Sequence, residues 1–185
     1  MDNVYFTGIG DDGITIIGGK HLSKNDPLIC CIGDIDELIS SIGFLRSQLS
    51  DDRLCSQLIS IQDNLFSINS EIVALVDPKF SPKRKVSASE LSFLENSMHD
   101  IGISMPKLSL FVLPGGTHSS ASADLSRSVC RRAERSLFSL CKSYGLSGER
   151  ISLTKKYINR LSSYLFWLAR YLCFVEHVEE AHPSG

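Results

Sequence analysis

The pattern of hydrophobic and polar positions predicts five amphipathic helices, all after residue 33. In each of them apolar residues recur at steps of three and four along the chain, which places them on one helix face. Ser87 and Glu90 also form a capping box, which marks the start of the third helix. Short connections between helices of this length are typical of an all-α bundle. The predicted helices cover residues 34–49, 53–75, 87–102, 119–143 and 153–178.

The first 33 residues differ from the rest because they are rich in glycine and irregular. Short β-like runs are expected at "ITII" (14–17) and "LICCI" (28–32). We therefore predict a single domain over 1–185. It divides into an N-terminal loop segment (1–33), a helical bundle (34–178) and a fraying tail (179–185), with His177 and His182 solvated at this end of the chain.

Composition narrows the classes of function. The chain has 185 residues, 43% hydrophobic and 22% charged, with a formal net charge of −2. Such a charge argues against non-specific binding to nucleic acid. No run of 18 apolar residues predicts a membrane span, and no signal pattern opens the chain. The six cysteines lack a C-x-x-C motif, so we expect reduced thiols and a cytoplasmic protein.

Gly8, Gly10 and Gly13 have the spacing of a dinucleotide-binding loop. That loop needs a preceding strand and a following helix. Only seven residues precede Gly8, and β-branched "ITII" follows Gly13, which excludes it. Two interpretations remain open: a flexible turn, or a loop whose backbone N–H groups meet an anion, with Lys20 or Lys24 near its phosphate and Asp11 or Asp12 near a metal.

Charged side chains are most concentrated in "DLSRSVCRRAER", residues 124–135. At 100° per residue, Arg127, Arg131 and Arg135 share one face with Glu134. Like charges at i, i+4 cost an isolated helix about 0.2–0.5 kcal/mol per pair. A solvated face with internal ion pairs, or a bound polyanion gripped by guanidinium groups, would each offset that cost.

Two neighbouring segments favour a polyanion. "LPGG" (113–116) precedes the arginine helix, and such a turn can present free N–H groups to an anion. Asn159 lies inside the fifth predicted helix, where asparagine is mildly unfavourable.

The order of these motifs resembles the PduO-type ATP:cob(I)alamin adenosyltransferases. The resemblance runs from about Thr7 to Arg170 and includes "TGIGDDGIT", "KNDP", "GDIDEL" and "FVLPGG". Its most specific part is "RSVCRRAER" followed by "YINRLSSYLFWLAR".

The resemblance implies a ferritin-like five-helix bundle that forms a homotrimer, with ATP in clefts between subunits under the N-terminal loop. Cob(I)alamin would attack the ribose 5′-carbon of ATP with Mg²⁺ assisting, giving adenosylcobalamin and triphosphate. A cobalamin reductase and an adenosylcobalamin-dependent enzyme are the implied further partners.

The resemblance also assigns residues. Arg131, Phe111 and Arg127 are the implied catalytic residues, and Glu134 is the candidate for Mg²⁺. Arg127 would pair with Asp36 across the subunit interface. Phe111 would cap the corrin and exclude a lower axial ligand, although the residues alone favour a core phenylalanine. The implied ATP-binding positions are Thr7, Gly10, Asp11, Gly13, Thr15, Lys24, Arg131, Glu134 and Asn159.

The chain departs from the family pattern at several positions. Gly8 and Ile9 stand where a basic residue and a threonine are usual, and Asp124 stands where a histidine is usual. The first two departures remove a cation and a hydroxyl from the ATP loop. They leave open an alternative function, a non-catalytic helical trimer that binds or delivers adenosylcobalamin.

Overall fold

The computed structural model describes residues 8, 10–75, 77 and 79–184. The predicted all-α bundle of five helices is confirmed, with one small antiparallel sheet before it. None of the helices in these ranges is long and apolar enough to cross a membrane. The single-domain organisation stays a prediction. The elements are β1 (Ile14–Ile17), β2 (Lys20–Ser23), α1 (Pro27–Arg46), α2 (Asp52–Ala74), α3 (Ala88–Ile103), α4 (His118–Tyr144) and α5 (Glu149–Val175).

A hairpin accounts for the glycines after β1. Ile17 pairs with Lys20 across a two-residue turn. Gly18 and Gly19 in that turn have φ values of 57° and 74°. Two-residue hairpin turns with both central residues at positive φ favour a Gly-Gly pair. The hairpin returns the chain to Lys24, beside the loop where it began.

The prediction of an extended run at 28–32 was wrong, because α1 begins seven residues earlier than expected. Asp26 caps the helix by accepting a hydrogen bond from the Leu28 N–H (2.8 Å), and Pro27 occupies the first turn, where a missing N–H costs nothing. Leu28, Cys31 and Ile35 are fully buried. They extend the apolar stripe of the helix, so the run is the first turn of a helix.

The core lies where α4 packs between α1 and α5, with α2 covering α1 and α3 covering α5. One polar group is satisfied inside it. Asn64 donates to the hydroxyl of buried Tyr157 (3.0 Å) and accepts from Arg84 (2.7 Å). A buried hydroxyl without a partner costs about 1–3 kcal/mol, so this contact ties α2 to α5.

The C-terminal residues are held in place, which contradicts the predicted fraying. His177 has φ 57°, and the Val178 N–H donates to the Cys173 carbonyl (2.9 Å). This is a Schellman cap with histidine in the usual glycine position. The cap turns the chain back along α5, where the Leu113 N–H donates to the Ala181 carbonyl (2.8 Å).

Candidate functional site

The N-terminal loop is folded by its own backbone. The Gly13 N–H donates to the Gly10 carbonyl (3.1 Å), and the Lys24 N–H donates to the Gly13 carbonyl (2.8 Å). Gly10 has φ 98°, and a Cβ there would lie 3.2 Å from the Lys24 side chain. Only glycine permits this approach, so the loop and Lys24 form one unit. Asp11 lies exposed at its edge.

A cavity of about 850 Å³ lies beside this unit, and we call it the loop cavity. Thr15 and Lys24 line it from the loop, and residues of α1 and α4 line it from the bundle. Arg132 stands 3.3 Å from an Asp34 oxygen and also contacts Glu37. The hydrogen bond with Glu37 raises the pKa of Arg132 above its ordinary value, although partial burial acts in the opposite direction. The carboxylates therefore already neutralise the cation of the bundle wall.

A second cavity of about 390 Å³, here called the Phe111 cavity, lies between the 108–112 segment, α4 and α5. Phe111 is 88% exposed, so the interpretation of Phe111 as a core residue was wrong. Arg127 and Arg131 line the same cavity. An aromatic surface and two cations thus line one opening, with Phe166 and Trp167 among its other walls.

Arg131, Glu134 and Asn159 form a connected group on α4 and α5. Asn159 donates to Glu134 Oε1 (2.9 Å), and Arg131 lies 3.8 Å from Glu134 Oε2. The Arg131 side chain is 52% exposed, whereas that of Glu134 is 14% exposed. The asparagine holds the carboxylate, and the long arginine contact leaves the guanidinium free to bind another anion.

Asp36 and Arg127 form no ion pair with each other in the described chain. Asp36 is exposed on α1, and the Arg127 Nε is buried without a hydrogen-bond partner among the residues described. Asp124, which stands where a histidine is usual in the family, accepts a hydrogen bond from the Gly115 N–H (3.0 Å). Burial raises the pKa of Asp124 and outweighs that hydrogen bond and the charge of Arg127.

The structure therefore brings the predicted residues together in two groups. Thr15 and Lys24 belong to the loop cavity, whereas Arg127, Arg131 and Phe111 belong to the other. The two cavities share no lining residue among those described. Thr7 and Ile9 lie outside the described residues.

The sequence and the fold both match those of known proteins. The family model described as "Cobalamin adenosyltransferase" matches residues 5–172. The chain belongs to the cobalamin adenosyltransferase family. A cobalamin adenosyltransferase of Cupriavidus metallidurans is 37% identical over 169 residues, which is 90% of this chain and 86% of the relative. A corrinoid adenosyltransferase of Bacillus subtilis is 34% identical over 170 residues, with coverages of 89% and 84%.

Solved structures agree with the family. A phenylalanine-to-histidine variant of a PduO-type ATP:corrinoid adenosyltransferase from Lactobacillus reuteri, complexed with cobalamin and ATP, superposes with a TM-score of 0.86 at 30% identity. The match covers 98% of this chain and 97% of that one. An arginine-to-lysine variant from the same organism, complexed with ATP, gives a TM-score of 0.82 at 31% identity, with coverages of 97% and 99%.

The sequence reasoning missed part of the aromatic wall in this member of the family. Phe166 and Trp167 pack edge to face with ring centroids 6.0 Å apart, and both line the Phe111 cavity. The sequence signal for them is a pair of adjacent aromatic residues in α5. Neighbouring side chains on a helix are 100° apart, so the two rings cannot occupy the same position on its core-facing side.

Proposed function

We propose that this protein transfers the 5′-deoxyadenosyl group of ATP to cob(I)alamin, forming adenosylcobalamin and releasing triphosphate. The observation that carries the proposal is the Phe111 cavity of a chain in this family. Its exposed aromatic residue lines the cavity together with Arg127 and Arg131. A flat apolar macrocycle and a polyanionic co-substrate together need such a surface.

The reaction makes one bond and breaks one bond. The electron pair of cobalt(I) forms the Co–C5′ bond, and the C5′–O electron pair leaves with the triphosphate. We assign Arg131 to the leaving triphosphate, because cations placed where charge develops lower the barrier. Gly10, Gly13 and Lys24 would enclose the phosphates from the loop side, with Asp11 and Thr15 beside them.

We assign Phe111 to the lower face of the corrin. An aromatic side chain there excludes an axial ligand and water, and axial ligation is the lever by which a protein tunes a cobalt or haem centre. Its exposure supports this role, because Leu108, Leu110 and Phe111 are exposed together and an exposed apolar patch marks a binding surface.

Mg²⁺ with Glu134 is a further part of the proposal. The described residues contain no cluster of three or more His, Cys, Asp or Glu side chains suited to a metal. Magnesium is typically held by one or two carboxylates together with substrate phosphates and water. Glu134 fits that pattern, because Asn159 holds one of its oxygens and Arg131 approaches the other only to 3.8 Å.

We propose a homotrimer in which the loop of one subunit completes the arginine group of the next. The separation of the two groups within one chain supports this, as do exposed Asp36 and the Arg127 Nε, which has no hydrogen-bond partner among the described residues. Arg127→Glu should shift the sedimentation coefficient from trimer toward monomer. The double variant with Asp36→Arg should recover it, whereas an undisturbed trimer in Arg127→Glu would reject the pairing.

The activity is tested by mixing the protein with reduced cobalamin and Mg-ATP and following the cobalamin spectrum. We expect adenosylcobalamin and an equal amount of triphosphate. Binding of both ligands without a Co–C bond would instead favour the carrier that the Gly8 and Ile9 departures suggested.

We also propose a cytoplasmic location, with a reductase that supplies cob(I)alamin and an enzyme that takes up adenosylcobalamin as partners. All six cysteines are free thiols, which supports a reducing compartment.

A further inference from the structure

The chain after α5 touches one wall of the Phe111 cavity directly. The Leu113 N–H donates to the Ala181 carbonyl (2.8 Å), and His182 Nδ1 lies 2.8 Å from the Phe111 carbonyl oxygen. The histidine donates in this contact, because a carbonyl oxygen only accepts. The two bonds fix the backbone on both sides of Val112, so they set the position of Phe111 in this wall.

Glu180, in the same C-terminal segment, reaches another wall of the cavity through a buried ion pair with Arg170. Arg170 is 6% exposed, and its Nε and Nη2 donate to the two Glu180 oxygens at 2.6 and 3.0 Å. The guanidinium carbon lies 5.1 Å from the centroid of the Trp167 ring. Trp167 lines the Phe111 cavity, and Arg170 stacks on it. The carboxylate that neutralises Arg170 is Glu180, in the C-terminal residues.

The start of this segment is anchored separately. The Schellman cap at His177 sets its direction. Glu176 accepts hydrogen bonds from Thr117 (3.1 Å) and Ser119 (2.5 Å) at the beginning of α4. The segment is therefore fixed at one end to α4 and α5, and at the other end to both walls.

We propose that residues 176–182, the C-terminal strap, position Phe111 and Trp167 for corrin binding, with Glu180 as the principal positioning residue. The corrin ligand rests on the proposed function; the positioning of the two aromatic walls does not. Removing Glu180 leaves a buried cation without its partner, which is strongly unfavourable. Arg170 then moves toward water, and Trp167 loses the group stacked on it.

The test uses Glu180→Gln and a chain that stops after Glu179. The matched control is Glu179→Gln, which alters a neighbouring exposed carboxylate. Trp167 is the single tryptophan of the chain, so intrinsic fluorescence reports on this wall without any ligand. We expect both test variants to shift the emission to longer wavelength and to be quenched more readily by acrylamide.

Hydrogen exchange reports on the other wall. In the truncated chain the Leu113 amide loses its acceptor, and we expect its exchange to accelerate by roughly tenfold or more, as for a locally opened segment. The control variant should match the wild type in both measurements. Unchanged tryptophan emission and unchanged exchange in the truncated chain would overturn the proposal.

Kinetics separate positioning from general stability. We expect Glu180→Gln to raise KM for cob(I)alamin by roughly 3- to 30-fold, the range for a residue that acts on a site without touching the ligand. KM for ATP should change by less than about twofold on the same grounds. Equal rises in both constants together with a lower Tm would mean a merely structural role and would overturn the proposal. Absence of adenosylcobalamin formation in the wild type would reject the proposed function, while fluorescence and exchange would still decide on the strap.

Discussion

Replacing Arg131 by alanine separates function from folding in this protein. The side chain is 52% exposed and reaches its nearest carboxylate, on Glu134, only at 3.8 Å. Exposed pairs of this kind contribute about 0.2–1 kcal/mol, and i, i+3 or i, i+4 helix pairs lie at the low end. For a chain of this size we therefore expect Tm to change by no more than about 2 °C.

The effect on catalysis should be far larger. The guanidinium is the cation of the Phe111 cavity assigned to the leaving triphosphate. Removal of one preorganised group that stabilises developing charge typically costs about 2.7–4 kcal/mol of transition-state stabilisation. We therefore expect kcat of Arg131→Ala to fall by roughly 100- to 1000-fold, with helix content unchanged.

The assay is the formation of adenosylcobalamin from cob(I)alamin at saturating Mg-ATP, with circular dichroism and Tm measured on the same preparations. Arg135→Ala is the matched control, because Arg135 is an exposed arginine one turn along the same helix. Arg135 lines none of the cavities described above. Wild-type kcat in Arg131→Ala, or equal losses in both variants, would refute the assignment of the triphosphate to Arg131.

Three further variants test the corrin contact and the fold. Phe111→Ala should slow reduction of the bound cobalt centre and leave KM for ATP within about twofold; an equal loss of ATP binding would indicate a packing role. Asn64→Ala leaves the Tyr157 hydroxyl buried without its partner, so thermal unfolding should show a loss of about 2 kcal/mol, or roughly 4–8 °C. Ser87→Ala should lower the free energy of unfolding by about 1 kcal/mol and make that free energy depend less on acid pH. Burial opposes ionisation of Glu90, but hydrogen bonds, chiefly from Ser87, lower its pKa from 4.5 to about 2. That stabilisation is present above pH 4.5 and is lost as the pH falls toward 2, so acid titration of the Ser87→Ala variant should show a flatter decline.

The sequence predicts best the helices whose apolar stripe and end signals are both regular. The starts of α2, α3 and α4 lie within one residue of the predicted positions. α5 begins four residues before the predicted start, because its cap, Gly148, makes no side-chain hydrogen bond. The helix ends at Val175, three residues before the predicted end, because the left-handed cap residue is His177, which carries no glycine signal.

The arginine face could be predicted, because helical spacing alone places Arg127 and Arg131 on one side of α4. The walls of the cavity could not. The bond between Leu113 and Ala181 joins positions 68 residues apart, and that between Phe111 and His182 joins positions 71 apart. No local pattern encodes such contacts, and the histidine-containing tail reads from the sequence as a polar, fraying end.

The same limit explains why the opening glycines were ambiguous. Gly10 has φ 98°, a backbone conformation that residues with a side chain rarely adopt, and Lys24 packs against it. Lys24 arrives there only through the Gly18-Gly19 hairpin. The resulting unit offers donors, but among the described residues it lines a different cavity from the one that Arg131 lines. A loop of this kind gains its function only when another surface supplies the remaining charges. The separation of the two groups is therefore the physical reason to expect that assembly, and not folding alone, completes the ATP site.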